Sequence, residues 1–256
     1  MLVIRSEQMA AFNKSALRSF EDEMRVHLGE FSPLLAKFAG EAQLRKAIQF
    51  GIGQANRYGF SLGGSLRLYL ELMLLFGSHF DTDPQYSWLR PYLVGFDGIS
   101  ARGRARLLHW HATVFMGKVY GKAGSHAIQA GERASWINGQ ALENVGRDLS
   151  AQGLGLLAQL HPQRWEYLDE ASARKLLDQS IADAARYGLA NPSGAPLLLC
   201  LKFVFGHRVT DDPLYPWVSA ILQSGDLDSQ GKVAQLLQKS QQFVAIMLKP
   251  VKEARS

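Results

Sequence analysis

The chain has 256 residues, of which 47% are hydrophobic and 20% are charged. This balance is that of a folded globular protein and excludes a disordered chain. The formal net charge of +5 is too small to indicate nucleic-acid binding, which requires a clustered stripe of cations.

The spacing of apolar residues predicts a series of helices along the first half. Ser6 to Leu28 and Glu41 to Tyr58 carry apolar residues every three to five positions, which forms one face of an amphipathic helix. Ser65 to Phe76 is apolar on most sides and should lie centrally. Asp83-Pro84 predicts the capped start of a short helix, and a long helix is predicted from Ser100 to Tyr120.

The second half repeats this series at a constant offset of 129 in the numbering. Glu41 to Leu93 aligns with Glu170 to Leu222 without a gap, and 19 of the 53 positions are identical. Chance pairing at ordinary composition gives roughly 6% identity. Because no period-two run indicates a sheet, we predict an all-α fold built by tandem duplication of one module of about five helices. The predicted bounds are 1–122 for the first copy, 123–133 for a connecting segment and 134–250 for the second copy.

The apolar segments do not predict a membrane or secreted protein. Leu68 to Phe76 and Ala195 to Phe205 reach about half the length of a bilayer span. The first residues lack the extended apolar region and the cleavage site of a secretory signal. The single cysteine, Cys200, cannot form an internal disulfide and lies in an apolar run. We therefore expect a cytoplasmic protein in which Cys200 is buried and unreactive.

Apparent cofactor and catalytic motifs have the wrong spacing or setting. Gly117 to Ser125 contains G-x-x-x-G-K followed by alanine, one residue short of a phosphate-binding loop. Gly51 to Gly53 lies in mid-helix, and its counterpart Ser180 to Ala182 indicates that small residues suffice there. The acidic run Glu21 to Glu23 is expected on a solvated face. We predict no cofactor and no catalytic residues, so the chain is not expected to be an enzyme.

His79, Asp81 and Asp83 alternate along one loop, as the ligands of a metal ion can. The second copy carries Arg208 and Thr210 at the first two positions, and helix capping explains the shared Asp83. Too few ligands remain, so we expect no metal site. His79 and Asp81 stay as candidates for binding a partner, because a feature present in one copy alone is free to be functional.

Two further histidines, His109 and His111, lie in the predicted helix from Ser100 to Tyr120. A separation of two residues corresponds to about 200° around a helix, which places the side chains on opposite faces. They cannot chelate together. One is expected to face solvent and the other to pack.

A basic cluster distinguishes the first copy from the second. Arg102, Arg104 and Arg106 precede Trp110, whereas the second copy has only Lys232 in that stretch. The first half holds 15 Lys/Arg and 10 Asp/Glu, while the second half holds 13 of each. Since guanidinium groups and tryptophan are enriched in protein interfaces, we predict that these four residues bind an acidic partner. The alternative is a solvated helix start.

The segments RSEQMAAF, RSFEDEMRVHL, GIGQANRYGF and LFGSHFDTDPQYSW all lie in the first copy, between Ile4 and Trp88. In these segments the chain resembles a family of uncharacterised bacterial proteins commonly encoded beside type VI secretion effectors and related polymorphic toxins. The resemblance implies an immunity protein, or a chaperone or adaptor that loads the effector, and supplies no catalytic residues. The second copy departs from the pattern because it lacks the histidine and the first aspartate of SHFDTDP.

These observations lead to one leading hypothesis and two alternatives. We expect a non-enzymatic, cytoplasmic protein that binds a cognate toxin and neutralises it, by occluding its site or by blocking its assembly. The alternatives are an effector chaperone or adaptor, which binds transiently, and an enzyme with an unrecognised site between the copies. Neither nucleic acid nor membrane is expected as a partner.

Overall fold

The computed structural model describes residues 6–61, 63–96 and 98–253, with side chains from residue 15 onward within these ranges. Helices account for 79% of the chain and the described residues include no strand, which confirms the all-α prediction. None of the described helices is both long and apolar enough to cross a bilayer. The predicted apolar positions Met9 and Phe12, and the start of the resemblance at Ile4, lie outside the described side chains.

The helices follow one another along the chain with short connections. The first half contains α1 (Ser6–Phe31), α2 (Pro33–Ala39), α3 (Glu41–Arg57), α4 (Gly63–Phe76), a 3-10 helix (Pro84–Leu89), α5 (Arg90–Val94) and α6 (Ala101–Tyr120). After a 3-10 turn (Lys122–Gly124) come α7 (Ser125–Trp136), α8 (Gly139–Arg147), α9 (Leu149–Leu160), α10 (Pro162–Trp165), α11 (Glu170–Arg186), α12 (Gly194–Phe205), α13 (Pro216–Leu222) and α14 (Ser229–Glu253). Both ends of α11 coincide with the ends of α3 in the sequence alignment of the two halves.

The two halves share helix ends but differ in their first helix. Gly59 and Gly188 follow α3 and α11 with φ of 73° and 69°, a left-handed conformation that favours glycine at the end of a helix. Helix α1 is continuous, whereas the corresponding stretch is divided into α8 and α9 at Asp148. The Asp148 side chain caps α9 by accepting a 3.3 Å hydrogen bond from the backbone N–H of Ala151.

The predicted connecting segment, 123–133, is helical. Helix α7 covers most of it and packs against both α6 and α14. A Cβ atom on Gly131 would lie 2.1 Å from Cδ1 of Leu248, so the two helices approach closely at this glycine. The small residues that suggested a linker therefore permit close helix packing.

One hydrophobic core extends through both halves. It includes Met24 of α1, Leu70 of α4, Leu198 of α12 and Leu236 of α14, each at most 1% exposed. Helix α4 is central, as its largely apolar sequence predicts, and α12 is buried along nearly its whole length. A smaller cluster around Phe203 lies within the second half. Because side chains from both halves share the main core, we expect the halves to unfold together.

Two loops, one from each half, exchange matched hydrogen bonds where the halves meet. Oδ2 of Asp83 accepts a 2.7 Å hydrogen bond from the backbone N–H of His207. Oδ2 of Asp212 accepts a 2.8 Å hydrogen bond from the backbone N–H of Ser78. Both carboxylates are buried, and burial raises the pKa of each. Asp83, predicted as a helix cap alone, therefore also joins the two halves.

The backbones of the two loops touch at Gly77 and Gly206. Both glycines adopt a positive φ, 96° and 106°, which favours glycine over any other residue. A Cβ atom on Gly77 would lie 2.7 Å from the carbonyl oxygen of Phe205, and one on Gly206 would lie 3.0 Å from that of Phe76. Glycine is thus required here both by conformation and by the close approach of the loops.

Candidate functional site

An open groove with a volume of about 1020 Å³ lies between α4 and α6. One wall is formed by residues 64–71 and the other by residues 102–110. Its ionisable side chains are three arginines, one histidine and one glutamate: Arg67, Arg102, Arg106, His109 and Glu71. The groove therefore carries an excess of positive charge.

The start of α6 determines which side chains face the groove. The hydroxyl oxygen of Ser100 accepts a 3.2 Å hydrogen bond from the backbone N–H of Gly103 and so caps the helix. Because an α-helix has 3.6 residues per turn, positions four apart lie on the same face. Arg102, Arg106 and Trp110 therefore line one side of α6, and all three border the groove.

Arg102, Arg106 and Trp110 are available to a partner. The two arginines are exposed, and neither forms an ion pair or hydrogen bond with another described residue. Trp110 is 59% exposed, and its indole ring meets the imidazole of His111 edge-on at 4.6 Å between ring centroids. Unpaired guanidinium groups beside an exposed aromatic ring are typical of a protein-binding surface.

The α4 wall contributes charges that the sequence analysis missed. Oε1 of Glu71 is 3.1 Å from Nε of Arg67 and 2.7 Å from Nε2 of His27, which lies on α1. Glu71 therefore forms an ion pair with Arg67 within the α4 wall. The sequence does contain a signal for this wall: Arg67 and Glu71 lie four residues apart in an otherwise apolar helix. That spacing places both side chains on one exposed face of the helix.

Arg104 lies outside this surface, which corrects its prediction as a partner-binding residue. It is 8% exposed, and its guanidinium group packs over the ring of Phe60 at 4.9 Å. Nη2 donates a 2.6 Å hydrogen bond to the carbonyl oxygen of Tyr58, and Nη1 donates to that of Leu93. Residues two apart on a helix point to opposite faces, which already separates Arg104 from Arg102.

His79 and Asp81 do not line the groove, and both have structural neighbours. The His79 ring packs against Phe50 at 4.5 Å, and burial lowers the pKa of His79 to about 4. Oδ2 of Asp81 accepts a 3.0 Å hydrogen bond from the hydroxyl of Tyr58. These two residues therefore stabilise the loop that they share and do not contribute to the α4–α6 surface.

The remaining candidates for chemistry are placed as follows. His109 is exposed at the groove, while His111 stacks on Tyr92 at 4.3 Å, as their opposite helix faces predict. Cys200 is buried, and burial raises the pKa of its thiol to about 12, so it is not a reactive thiolate. In the described part of the chain, no three His, Cys, Asp or Glu side chains cluster closely enough to hold a metal ion.

Comparison with known proteins does not place the chain in a family. No protein-family model, curated protein or solved structure matches it. Function is therefore inferred from the groove between α4 and α6, its unpaired arginines and its exposed tryptophan.

Proposed function

We propose that this protein is a non-enzymatic binding protein of a type VI secretion effector locus, and that it neutralises a cognate toxin in the cytoplasm. The observation that carries the proposal is the groove between α4 and α6, in which Arg102 and Arg106 are exposed without an acidic partner beside Trp110. The resemblance of the first half to proteins encoded beside such effectors supplies the biological setting.

The chemistry of the groove favours an acidic segment of a folded partner. Arg102 and Arg106 lie one helical turn apart, so they can bind two carboxylates on successive turns or strand positions of the partner. Trp110, at the end of the same row, offers apolar area to an aliphatic or aromatic side chain. A basic rim with an aromatic anchor provides both charge steering and a buried contact.

The same geometry favours binding over catalysis. Glu71 is the carboxylate that lines the groove, and its Oε1 is already occupied by contacts with Arg67 and His27, so it is not free to accept a proton from a substrate. His109 has no described orienting partner at the groove. General-base catalysis usually requires a second group that orients the base, and His109 lacks such a group among the described residues.

We further propose that the chain arose by duplication and that only the first half kept this surface. The matched bounds of α3 and α11 and the reciprocal bonds of Asp83 and Asp212 support a common origin of the halves. At an offset of 129, the groove positions of the second half lack this chemistry. Arg67, Glu71, Arg102, Arg106 and Trp110 correspond to Pro196, Cys200, Gly231, Gln235 and Lys239.

Co-expression with the effector encoded beside this gene tests the role. We expect the wild-type protein to restore growth of cells that express the toxin, and Arg102→Glu/Arg106→Glu to lose that protection. The control Lys175→Glu/Lys239→Glu changes the net charge by the same amount, at exposed positions of the second half. It should protect cells from the toxin as well as the wild-type protein does. If the toxin kills equally with and without the wild-type protein, the immunity role is wrong. A loss of effector secretion on deletion would then identify a chaperone or adaptor.

Direct binding tests the surface independently of toxicity. With a catalytically inactive toxin, we expect Arg102→Glu/Arg106→Glu to weaken affinity at least tenfold and to reduce the dependence of binding on salt concentration. Trp110→Ala should weaken binding while leaving the salt dependence unchanged. Unaltered affinity of both variants would place the interface elsewhere on the molecule.

A further inference from the structure

A separate cavity of about 210 Å³ lies between the two halves. Helices α4, α6, α7, α12 and α14 contribute to its wall, which is mostly apolar and includes Leu74, Phe205 and Phe243. Two wall residues, Ala127 of α7 and Met247 of α14, keep partial solvent exposure. The wall of the cavity therefore extends to the molecular surface.

The wall of this mostly apolar cavity includes one charged side chain, that of Arg164. Nη2 of Arg164 donates to the hydroxyl of Tyr86, and Nη1 donates a 3.4 Å hydrogen bond to the carbonyl oxygen of Val204. Nε is buried and has no hydrogen-bond partner. No described carboxylate forms an ion pair with the guanidinium group. Nε is enclosed by protein atoms, so the donors left for an anion are the second N–H groups of Nη1 and Nη2.

The surroundings of Arg164 add to the positive potential. Burial, together with the charges of Arg164, His126 and Arg133, lowers the pKa of the neighbouring His161 to about 3. Nη1 of Arg133 is a second buried donor without a partner. The nearby acid, Asp83, already accepts backbone hydrogen bonds with both of its carboxylate oxygens. Arg133 and Asp83 do not line the cavity, so the guanidinium group of Arg164 is the cation that an incoming anion would meet in the wall.

The apolar part of the cavity wall suits a hydrocarbon tail. Leu74, Phe205, Phe243 and Met247 present no hydrogen-bonding side chain there. An engineered apolar cavity of about 150 Å³ binds benzene, so 210 Å³ accommodates a chain of about eight carbon atoms. Tyr120 and Tyr215 also line the cavity, and a tyrosine hydroxyl is able to donate to a head group.

We propose that this cavity binds a medium-chain aliphatic carboxylate, with the carboxylate on Arg164 and the acyl chain in the apolar part between α4, α12 and α14. The ligand would join elements of both halves, because Arg164 belongs to the second half and Leu74 to the first. This site is separate from the α4–α6 groove and does not depend on the toxin-binding role.

A comparison of head groups on the wild-type protein tests the proposal without any mutation. Octanoate, 1-octanol and octylamine share the same eight-carbon tail and differ in their head groups. Each is added below its critical micelle concentration, and the midpoint of thermal unfolding of the protein is measured. We expect octanoate to raise the midpoint in a saturable way, octanol to raise it less and octylamine to leave it unchanged. No stabilisation by octanoate, or equal stabilisation by all three compounds, would overturn the proposal.

Two variants locate the site. Arg164→Met should lower octanoate affinity at least tenfold, measured by titration calorimetry, while octanol binding persists. Ala127→Leu places added volume at the cavity wall and should weaken both compounds. Arg174→Met changes an arginine exposed on α11 and should bind like wild type. Full octanoate affinity in both Arg164→Met and Ala127→Leu would show that the carboxylate binds elsewhere.

Discussion

Asp83 and Asp212 perform the same two tasks in opposite halves. Asp83 accepts a backbone hydrogen bond from Gln85, two residues ahead, and another from His207 across the interface. Asp212 accepts one from Leu214, again two residues ahead, and another from the opposite half. Each carboxylate therefore orders its own loop and fixes the other one.

Replacing either aspartate should destabilise the whole protein. In Asp83→Ala, the backbone N–H groups of His207 and Gln85 lose their acceptors, which we expect to cost about 3 kcal/mol of unfolding free energy. Asp83→Asn keeps one acceptor oxygen and should cost less. Chemical denaturation, followed by far-UV circular dichroism, measures both variants.

The matched variant and a surface control complete this test. Asp212→Ala should cost about as much as Asp83→Ala, and Asp226→Ala, at an exposed loop position, should change stability by less than about 0.5 kcal/mol. A single cooperative transition is expected in each case because the halves share one core. Two separated transitions would contradict that expectation.

An ion pair in the second half is replaced in the first half by one apolar residue and one amide residue at the aligned positions. Nζ of Lys202, 2% exposed, lies 2.6 Å from Oδ2 of Asp183. In the alignment of the two halves, these positions correspond to Met73 and Gln54. Lys202→Met alone leaves the Asp183 carboxylate unpaired and should cost about 3 kcal/mol.

The double exchange Lys202→Met/Asp183→Gln provides the control for this pair. It installs the residues that the first half uses and removes the unpaired charge, so we expect it to recover part of the loss. A cost of about 1 to 2 kcal/mol should remain, because the buried carbonyl oxygen of His207 loses the 2.6 Å hydrogen bond that Nζ of Lys202 donates. Thermal and denaturant unfolding of the two single variants and the double variant yield the coupling energy. Additive costs without recovery would mean that the pair is not coupled.

Much of the fold could be predicted because helix periodicity and helix ends are local. The Asp83 cap needed only neighbouring residues, and it appears as predicted. The helical character of residues 123–133 was missed, because small residues that permit close packing against α14 resemble a linker in the sequence. The cross-interface bond of Asp83 depends on residues 124 positions apart and left no local signal.

The candidate site was predicted less well because equivalent contacts are made from shifted positions. Asp81 has no carboxylate counterpart at Thr210, yet Asp211, one residue on, accepts a 3.1 Å hydrogen bond from the hydroxyl of Tyr187. Likewise, Lys232 donates a 3.4 Å hydrogen bond to the Tyr187 carbonyl, as Arg104 does to that of Tyr58. The position-by-position alignment of the two halves therefore indicated that Asp81 and Arg104 have no counterparts in the second half. The second half nevertheless makes the same contacts from neighbouring positions.

Substitution of Arg104 should lower the unfolding free energy far more than substitution of Arg102 and Arg106, the other two arginines of α6. Arg104→Met removes two hydrogen bonds to backbone carbonyls and should cost about 3 kcal/mol. Arg102→Glu/Arg106→Glu changes exposed side chains without described partners and should shift stability by less than about 0.5 kcal/mol. Equal destabilisation by the two variants would contradict the assignment of Arg104 to the scaffold.

Acid stability should depend on three histidines that the fold keeps neutral. Burial, with help from nearby cations, lowers the pKa of His79 to about 4 and those of His161 and His207 to about 3. Below pH 6.5 the unfolded chain therefore takes up protons that the folded chain excludes, and stability falls as the pH drops toward 4. Burial acts oppositely on the carboxylates, because it raises the pKa of Asp83 to about 6 and also raises that of Asp212.

The balance of these groups decides the slope of stability against pH. The pKa of Asp83 is about 6 in the folded protein and 3.8 in the unfolded chain, so protonation of Asp83 stabilises the folded protein as the pH falls between these values. Asp83 therefore offsets part of the loss of stability caused by the histidines. With three histidines against two aspartates, we expect the thermal midpoint to fall between pH 6.5 and 4. His207→Gln and His161→Gln should each flatten this decline, whereas His109→Gln, at the exposed groove position, should leave it unchanged. An identical slope in all three variants would show that protonation of the buried histidines does not control acid stability, and would transfer that role to other ionisable groups.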